Sequence, residues 1–465
     1  MSDLIDLEIE SLDASGSGLG RHGRHTVFVP FTIPGERVRV RITHTPRGHA
    51  GTLVDVLRAS PHRIVPRCPH FGPCGGCAWQ HIAYPEQLRL KSSIVERLVK
   101  SAVRQAPATL PTLPGASASD PWGYRHKVHF VFGPVESARR GAPHRRRPAL
   151  AMGHYARGSR KIVPVHECPV HDERGNAVAF RLLAEYERAE IAPAASSRFN
   201  GRGGDTDRGV LKSITVRVGS ATGELMTTLV VSAETDKRLR SATRRVVQEG
   251  THATALHVNV HPRDNAFIFG RETRRISGPE RLRDEVAGTS FLISPTAFFQ
   301  TNVRAAETLV RLVMDAVPAG ATVLDLYAGA GLFALPLASR GHAVVAVEEN
   351  RSAVADGEAS ARVNRIPPER CRFIARPVEL ALPSLRPADA IVLDPPREGC
   401  TPGVLEAAFG RLRPRRAVYV SCNPEALARD LTDITSLGYT IESIQPVDMF
   451  PHTAHIETVV TITLP

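Results

Sequence analysis

The chain has 465 residues, 42% of them hydrophobic, a length that suggests about three domains with ample material for buried cores. Lys and Arg outnumber Asp and Glu by 59 to 47, a net charge of +12, which makes nucleic acid the first candidate partner, although an Arg- and Ala-rich composition also follows genomic base content. No apolar run reaches the ~20 residues of a membrane span and the opening MSDLIDLEIE is acidic rather than signal-like, so a soluble cytoplasmic protein with no membrane partner is expected.

Residues 1–60 read as a small all-β module. Short alternating runs (DLEIESL, HTVFVPF, RVRVRITHT, GTLVDVL) are separated by Gly- and Pro-rich turns, GSGLGRHG among them. About five such strands suggest a small barrel of oligonucleotide-binding type. Its loops are expected to present Arg21, Arg24, Arg37, Arg39 and Arg47.

Residues 61–290 mix strands and helices. EQLRLKSSIVERLVKSAV (86–103) has the spacing of an amphipathic helix, while GYRHKVHFVFG and LKSITVRVG read as strands. SARRGAPHRRRP (137–148) and SSRFNGRGGDTDRG (196–209) read as basic loops, suited to phosphate contact or simply solvated. RCPHFGPCGGCAWQH spaces Cys68, Cys74 and Cys77 as C-x₅-C-x₂-C, and VHECPVH adds Cys168. In a cytosolic chain such cysteines point to metal binding or catalysis rather than disulfides. Four soft thiolates suit zinc or an iron–sulfur cluster, and spacing does not choose between them.

Residues 291–465 alternate Val/Ile/Leu strands with helices, the pattern of a doubly wound, mostly parallel α/β sheet. VLDLYAGAGLFALPLA is a strand, a glycine turn and a helix start: Gly329 and Gly331 permit a sharp turn and close approach to a ligand. Glu348 ends the next strand, where a carboxylate can take ribose hydroxyls. NAD and S-adenosylmethionine both fit this much. Phe333 and Ala334 replace the third glycine of the dinucleotide pattern, and LDPPREG sets Asp394 before a rigid Pro395-Pro396 edge; both favour S-adenosylmethionine. Arg397 stands where amine methyltransferases often carry an aromatic, which points away from an exocyclic amine target.

YVSCNP ends a strand on Cys422 and breaks it at Asn423-Pro424. Ligands of open α/β sheets sit beyond the strands' carboxyl ends, so a nucleophile is a better reading of Cys422 than a packed core thiol. Carbon 5 of uracil attacks a sulfonium methyl poorly until a thiolate adds to carbon 6, and the adduct then needs a base to take the proton from carbon 5. DMFPHTAHIETV offers His452, His455 and Glu457; Glu457, at the start of an apolar strand, suits a base with a raised pKa.

SPTAFFQTN, DLYAGAGLF, VE at 347–348, LDPPREG, YVSCNPEALARD and DMFPHTAHIE, in this order, resemble the motifs of the RNA uridine-5 methyltransferases. The resemblance spans nearly the whole chain. It implies a class I methyltransferase domain, Gln300, Tyr327, Glu348 and Asp394 at the cofactor site, Cys422 as nucleophile and Glu457 as base. Many members carry cysteine where Ala328 stands, and some place Asp or Asn where Arg376-Pro377 lies. The cysteines resemble those of a [4Fe–4S] branch with an N-terminal TRAM barrel, which implies a cluster on Cys68, Cys74, Cys77 and Cys168. The expected domains are a TRAM barrel over 1–60, a cluster and RNA-binding α+β domain over 61–290, and the methyltransferase over 291–465. The expected substrate is 23S ribosomal RNA, with the transfer RNA T-loop as alternative, and the chain is expected to act as a monomer. A non-catalytic RNA-binding or chaperone protein is the rival of another class, and a radical redox enzyme a further one.

Overall fold

The computed structural model describes residues 4–45, 48–117, 119–134, 150–194, 209–234, 236–263 and 267–465. Arg47, the basic run 137–148 and residues 196–208 lie outside these. Five strands, β1 (Leu4–Leu12), β2 (Gly18–His22), β3 (His25–Val29), β4 (Arg37–Thr45) and β5 (Gly48–Arg58), close a barrel in the order β1-β2-β3-β5-β4. Inward residues alternate along the strands, and Leu7, Ile9, Val27, Val29, Val38, Val40 and Ile42 fill the interior. β2 corrects the reading of GSGLGRHG as a turn. Its glycines serve close packing: a Cβ on Gly18 would lie 2.0 Å from Thr32 Oγ1, and one on Gly20 2.7 Å from the Glu8 carbonyl. Three of the expected loop arginines are on strands instead. Arg39 and Arg37 both pair with Asp6 across β1 and β4, at 2.8 and 3.7 Å, and Arg21 pairs with Glu10 at 3.7 Å.

The helix read at 86–103 is α1 (Tyr84–Ala102). A seven-stranded sheet follows, built from β6 (Lys127–Pro134), β7 (Leu150–Tyr155), β8 (Ile162–Pro164), β9 (Leu211–Val218), β10 (Leu225–Val231), β11 (Ala255–Val260) and β12 (Glu272–Ser277), in the order β12-β11-β10-β9-β6-β7-β8. Helices α2 (Glu173–Arg188) and α3 (Lys237–Glu249) share its core through Val178, Leu182, Tyr186, Leu239 and Val246.

α1 does not join that core. Its apolar stripe, Leu90, Ile94, Val95 and Val99, shares a core with Leu393 and Tyr419 of the C-terminal sheet and with Leu427 and Leu431 of the helix Pro424–Ser436 that covers it. The chain after α1 then runs along that sheet's edge, with Leu113 N–H donating to the Pro446 carbonyl at 3.0 Å and Asp448 N–H to the Leu113 carbonyl at 2.9 Å.

The C-terminal unit opens on a hairpin, β13 (Leu282–Val286) and β14 (Thr289–Ile293), followed by α4 (Val303–Ala316). Strand and helix then alternate: β15 (Thr322–Leu326), α5 (Ala334–Ser339), β16 (Ala343–Glu348), α6 (Arg351–Val363), β17 (Cys371–Ala375), α7 (Val378–Ala381), β18 (Ala390–Leu393), α8 (Pro402–Leu405) running on as a π-helical stretch Glu406–Leu412, β19 (Arg416–Ser421), α9 (Pro424–Ser436), β20 (Thr440–Val447) and β21 (Glu457–Thr463). The sheet order is β17-β16-β15-β18-β19-β21-β20. All pairs are parallel except those of β21, which runs against both neighbours. β15 pairs with β16 on one side and β18 on the other, so the chain reverses direction there and opens a crevice at the strands' carboxyl ends.

Candidate active site

Register brings the crevice residues into one row. Leu326 pairs with Val347 and with Leu393, Leu393 with Tyr419, and Ser421 with Thr458. The residues just beyond these pairs are Tyr327, Glu348, Asp394, Cys422 and Glu457. Because β21 is antiparallel, its first residue rather than its last sits at this end, and that sets Glu457 beside Cys422.

The turn after β15 is tightly specified. Tyr327, Gly329 and Gly331 have φ of 64°, 55° and 85°. At Gly331 a Cβ would also meet the Phe373 ring at 2.8 Å and Leu335 at 3.0 Å, so glycine is needed there twice over. Glu348 is held by two backbone donors, Gly329 N–H at 3.0 Å and Asn350 N–H at 2.8 Å. Its carboxylate therefore ties the glycine turn to the end of β16. Gln300 is half-buried between β14 and α4. Buried Arg217 anchors that loop by donating to the Ala297 carbonyl at 2.9 Å, and Phe298 projects into solvent.

Asp394 begins the Pro395-Pro396 edge. Burial pushes its pKa up to about 7. The loop that follows is fixed from α9: buried Asp430 accepts from Cys400 N–H at 2.7 Å and Tyr419 O–H at 2.6 Å, and Asn423 Nδ2 donates to the Arg397 carbonyl at 2.9 Å. Arg397 is thus turned toward the crevice end that holds Cys422 and Glu457, and its charge acts on both.

Cys422 is half-buried. Asn423 caps α9 by accepting from Glu425 N–H at 3.0 Å, and Pro424 is the first helical residue, where its missing N–H costs nothing. The thiol accordingly stands at a helix N-terminus, which favours a thiolate. Burial, Glu457 and Asp394 oppose this and push the thiol up to about 11, while Arg397 draws it down. Burial and then Asp394 hold the Glu457 carboxyl well above the usual carboxylate range, against Arg397 and Lys91. Three acids thus share one site with too little positive charge to ionise all of them. A carboxyl group that keeps its proton until a cation arrives nearby is one result.

The loop between β20 and β21 is held from below by α1. Lys91 Nζ donates to Asp448 Oδ1 at 2.5 Å, to the His455 carbonyl at 2.7 Å and to the Phe450 carbonyl at 3.2 Å, with both side chains of the ion pair fully buried. Of the two histidines weighed as bases, His452 is committed elsewhere. Its Nδ1 accepts from Gln87 Nε2 at 3.2 Å, its Nε2 donates to the Pro121 carbonyl at 3.1 Å, and its ring stacks on Trp122 at 3.8 Å. His455 has an exposed side chain edge-on to Phe450.

Lys91, Asp430 and Asp448 escaped the sequence reading. The first two left a signal: each is a charge inside an apolar helical stripe, Lys91 between Leu90 and Ile94, and Asp430 between Leu427 and Leu431.

The four cysteines of the middle segment converge. Cys68, Cys74, Cys77 and Cys168 line one cavity of about 140 Å³, with His70, His154, His171 and Arg125 around them. Burial pushes all four thiols up, Cys77 to about 11 and Cys168 to about 12. His70 Nε2, His171 Nδ1 and Arg125 Nε are buried without a hydrogen bond. Soft donors closing on one space suit a soft metal centre, whose positive charge would reverse the pKa shifts. The ligand atoms of His154, Cys168 and His171 also lie within 4.8 Å of one another.

Comparison with known proteins agrees with this architecture. Residues 4–50 match the TRAM domain, and residues 369–464 match the tRNA (Uracil-5-)-methyltransferase family. An RNA methyltransferase of Gloeobacter violaceus is 38% identical over 465 residues, 98% of this chain and 96% of its own. One of Listeria monocytogenes is 32% identical over 470 residues, covering 99% of this chain and 97% of its own. Among solved structures, the tRNA (uracil-54, C5)-methyltransferase of Pyrococcus abyssi in complex with S-adenosyl-L-homocysteine superposes with a TM-score of 0.77 at 25% identity, over 99% of this chain and 100% of that one. With relatives of 38% and 32% identity matching over nearly their whole length, the chain belongs to the RNA methyltransferase family, with an N-terminal TRAM domain and a C-terminal tRNA (Uracil-5-)-methyltransferase family domain.

Proposed function

We propose that the protein methylates carbon 5 of one uridine in 23S ribosomal RNA through a transient bond between Cys422 Sγ and carbon 6 of the base. The observation that carries the reading is the β19–β21 register, which sets a thiol at a helix N-terminus beside a carboxyl group of raised pKa. S-adenosylmethionine, when bound, brings an electrophilic methyl group and a positive sulfonium. Gln300, Tyr327, Gly329, Gly331, Glu348 and Asp394 are the residues proposed to hold it, Glu348 through ribose hydroxyls and Asp394 at the sulfonium end. Cys422 adds to carbon 6, which makes carbon 5 nucleophilic. After methyl transfer Glu457 takes the proton from carbon 5, and the bond to Sγ breaks with return of the electron pair to sulfur. The base must leave its stack to reach the thiol.

The middle segment is proposed to hold a [4Fe–4S] cluster on Cys68, Cys74, Cys77 and Cys168. Methyl transfer to an enolate needs no electron, so the proposed role is to shape the fold or position the RNA. The His154–Cys168–His171 grouping favours zinc as a second reading, and assay of iron, acid-labile sulfide and zinc in the purified protein separates the two.

The choice of 23S RNA rests on the combination of barrel and cysteine set. The transfer RNA T-loop is the second reading, favoured by the likeness to the Pyrococcus abyssi enzyme. Mapping 5-methyluridine in ribosomal and transfer RNA from cells with and without the gene tests both. Loss of one 23S site is expected; loss confined to transfer RNA overturns the first reading. A cytoplasmic monomer is proposed, to be checked by light scattering with and without RNA.

A further inference from the structure

We propose that the groove between α3 and the edge strand β12 is a second RNA subsite, one that takes a single unpaired nucleotide at a position other than the target uridine. It rests on RNA being the substrate, and on neither choice of which RNA.

α3 carries five cationic residues in thirteen: Lys237, Arg238, Arg240, Arg244 and Arg245. Arg240, Thr243, Arg244 and Val247 follow the i, i+3, i+4, i+7 spacing and share one face. That face does not close on the sheet. It lines an open groove of about 350 Å³ floored by Val247, Val258 and Ile276. The volume is at the lower end of small-molecule sites, ~300–1,000 Å³, and so suits one nucleotide rather than a helix or a duplex.

The rim is cationic. Arg240 and Arg244 are exposed, and among the described residues their side chains have neither ion pair nor hydrogen bond. On the other wall Arg274 pairs with Glu234 Oε2 at 2.9 Å, while Glu234 Oε1 is buried without a partner. An apolar floor takes the face of a base, guanidinium planes stack on it and neutralise the two phosphates that flank it, and a free carboxylate oxygen accepts from a base edge or a ribose hydroxyl. Duplex phosphates would use the arginines and leave the floor bare.

The test measures binding of a short single-stranded oligouridylate, and of a duplex RNA of equal length, across a salt series. The proteins are wild type, Arg240→Ala/Arg244→Ala and Val247→Trp. The arginine pair should weaken single-strand binding about tenfold and flatten the salt slope by roughly 1.4, about 0.7 for each phosphate that an arginine no longer neutralises. Val247→Trp fills the floor without removing charge, so it should weaken single-strand binding at an unchanged slope and leave duplex binding alone. Oligouridylate carrying 4-thiouridine should crosslink to peptides of α3 or β12, a readout that needs no variant. Unchanged single-strand binding by Val247→Trp at a wild-type melting temperature, or crosslinks confined to other elements, overturns the subsite. A wild-type protein that binds neither RNA overturns the RNA reading as well.

Discussion

Cys422 meets opposing influences, and the balance sets its pH behaviour. Burial and the carboxyl groups of Glu457 and Asp394 raise the thiol, and Arg397 lowers it. The thiolate fraction therefore grows with pH, and kcat/KM should rise from neutral toward alkaline pH. Arg397→Ala removes a cation that favours the thiolate, so the rising limb should move to higher pH; an unmoved limb in the pH–rate profile counts against Cys422 as the titrating nucleophile. Cys422→Ala should abolish methyl transfer while leaving RNA affinity within about twofold, since the uncatalysed attack lacks the covalent activation. With Glu457→Gln, addition proceeds and elimination does not, so a protein–RNA adduct should persist through denaturing electrophoresis. Asp394 makes a separate prediction for stability. Its folded pKa, about 7, lies above the ordinary carboxylate value of 3.8. Folding thus favours the protonated form, and that contribution is full below 3.8 and lost as pH rises through 7. Asp394→Asn should melt several degrees higher than wild type in alkaline buffer, with no such gain in acid, while losing activity. Thermal melts at the two pH values decide it.

At the scale of elements, α1 links chain segments that the sequence places far apart. Its helical period was legible over 86–103, and so was its apolar stripe. What the stripe faces was not, because amphipathicity shows that a helix has a buried side without naming the partner. The stripe packs on the C-terminal unit, against α9 and the sheet beneath it, and Lys91 within it pairs with Asp448 under the loop that leads to Glu457. Lys91→Met would strand a buried carboxylate and should cost about 3–5 kcal/mol in chemical denaturation. Lys91→Met/Asp448→Asn should regain much of that loss, and a double variant no better than the single one would argue against the ion pair as the cause. β2 shows the converse limit. Its glycines carry turn-like composition because composition cannot distinguish a flexible turn from a strand where neighbouring atoms leave no room for a Cβ.

At the scale of the whole molecule, the cysteine segment touches everything. Trp79 Nε1 donates to the Gly16 carbonyl of the barrel at 3.0 Å, and Ala78 and Trp79 N–H both donate to the His452 carbonyl of the loop between β20 and β21, at 3.0 and 2.9 Å. Gly75 N–H donates to the Tyr155 carbonyl at the end of β7 at 2.9 Å. A metal centre closing this segment would brace three units at once, which gives a structural group a route to activity without chemistry of its own. Cys77→Ser should lower metal content and melting temperature together. It should also speed hydrogen exchange in residues 448–457 more than in the barrel core. Exchange in that loop at the wild-type rate would show that the segment is not its brace.

The sequence by itself determined the local chemistry: the glycine turn, the Pro395-Pro396 edge, a thiol at a strand end, four cysteine thiols and the alternation that makes an α/β sheet. These follow from residue types at short spacing, where backbone sterics and side-chain chemistry act within a few residues. Only the tertiary structure decided which ends meet. Cys422 and Glu457 are neighbours because β21 enters antiparallel between β19 and β20. The cysteines, a hundred positions apart at their extremes, close one cavity because β7 and the entry to α2 bring Cys168 to the loop of Cys74. Strand order and register are long-range pairings, set by the burial of whole faces rather than by any residue's neighbours in sequence.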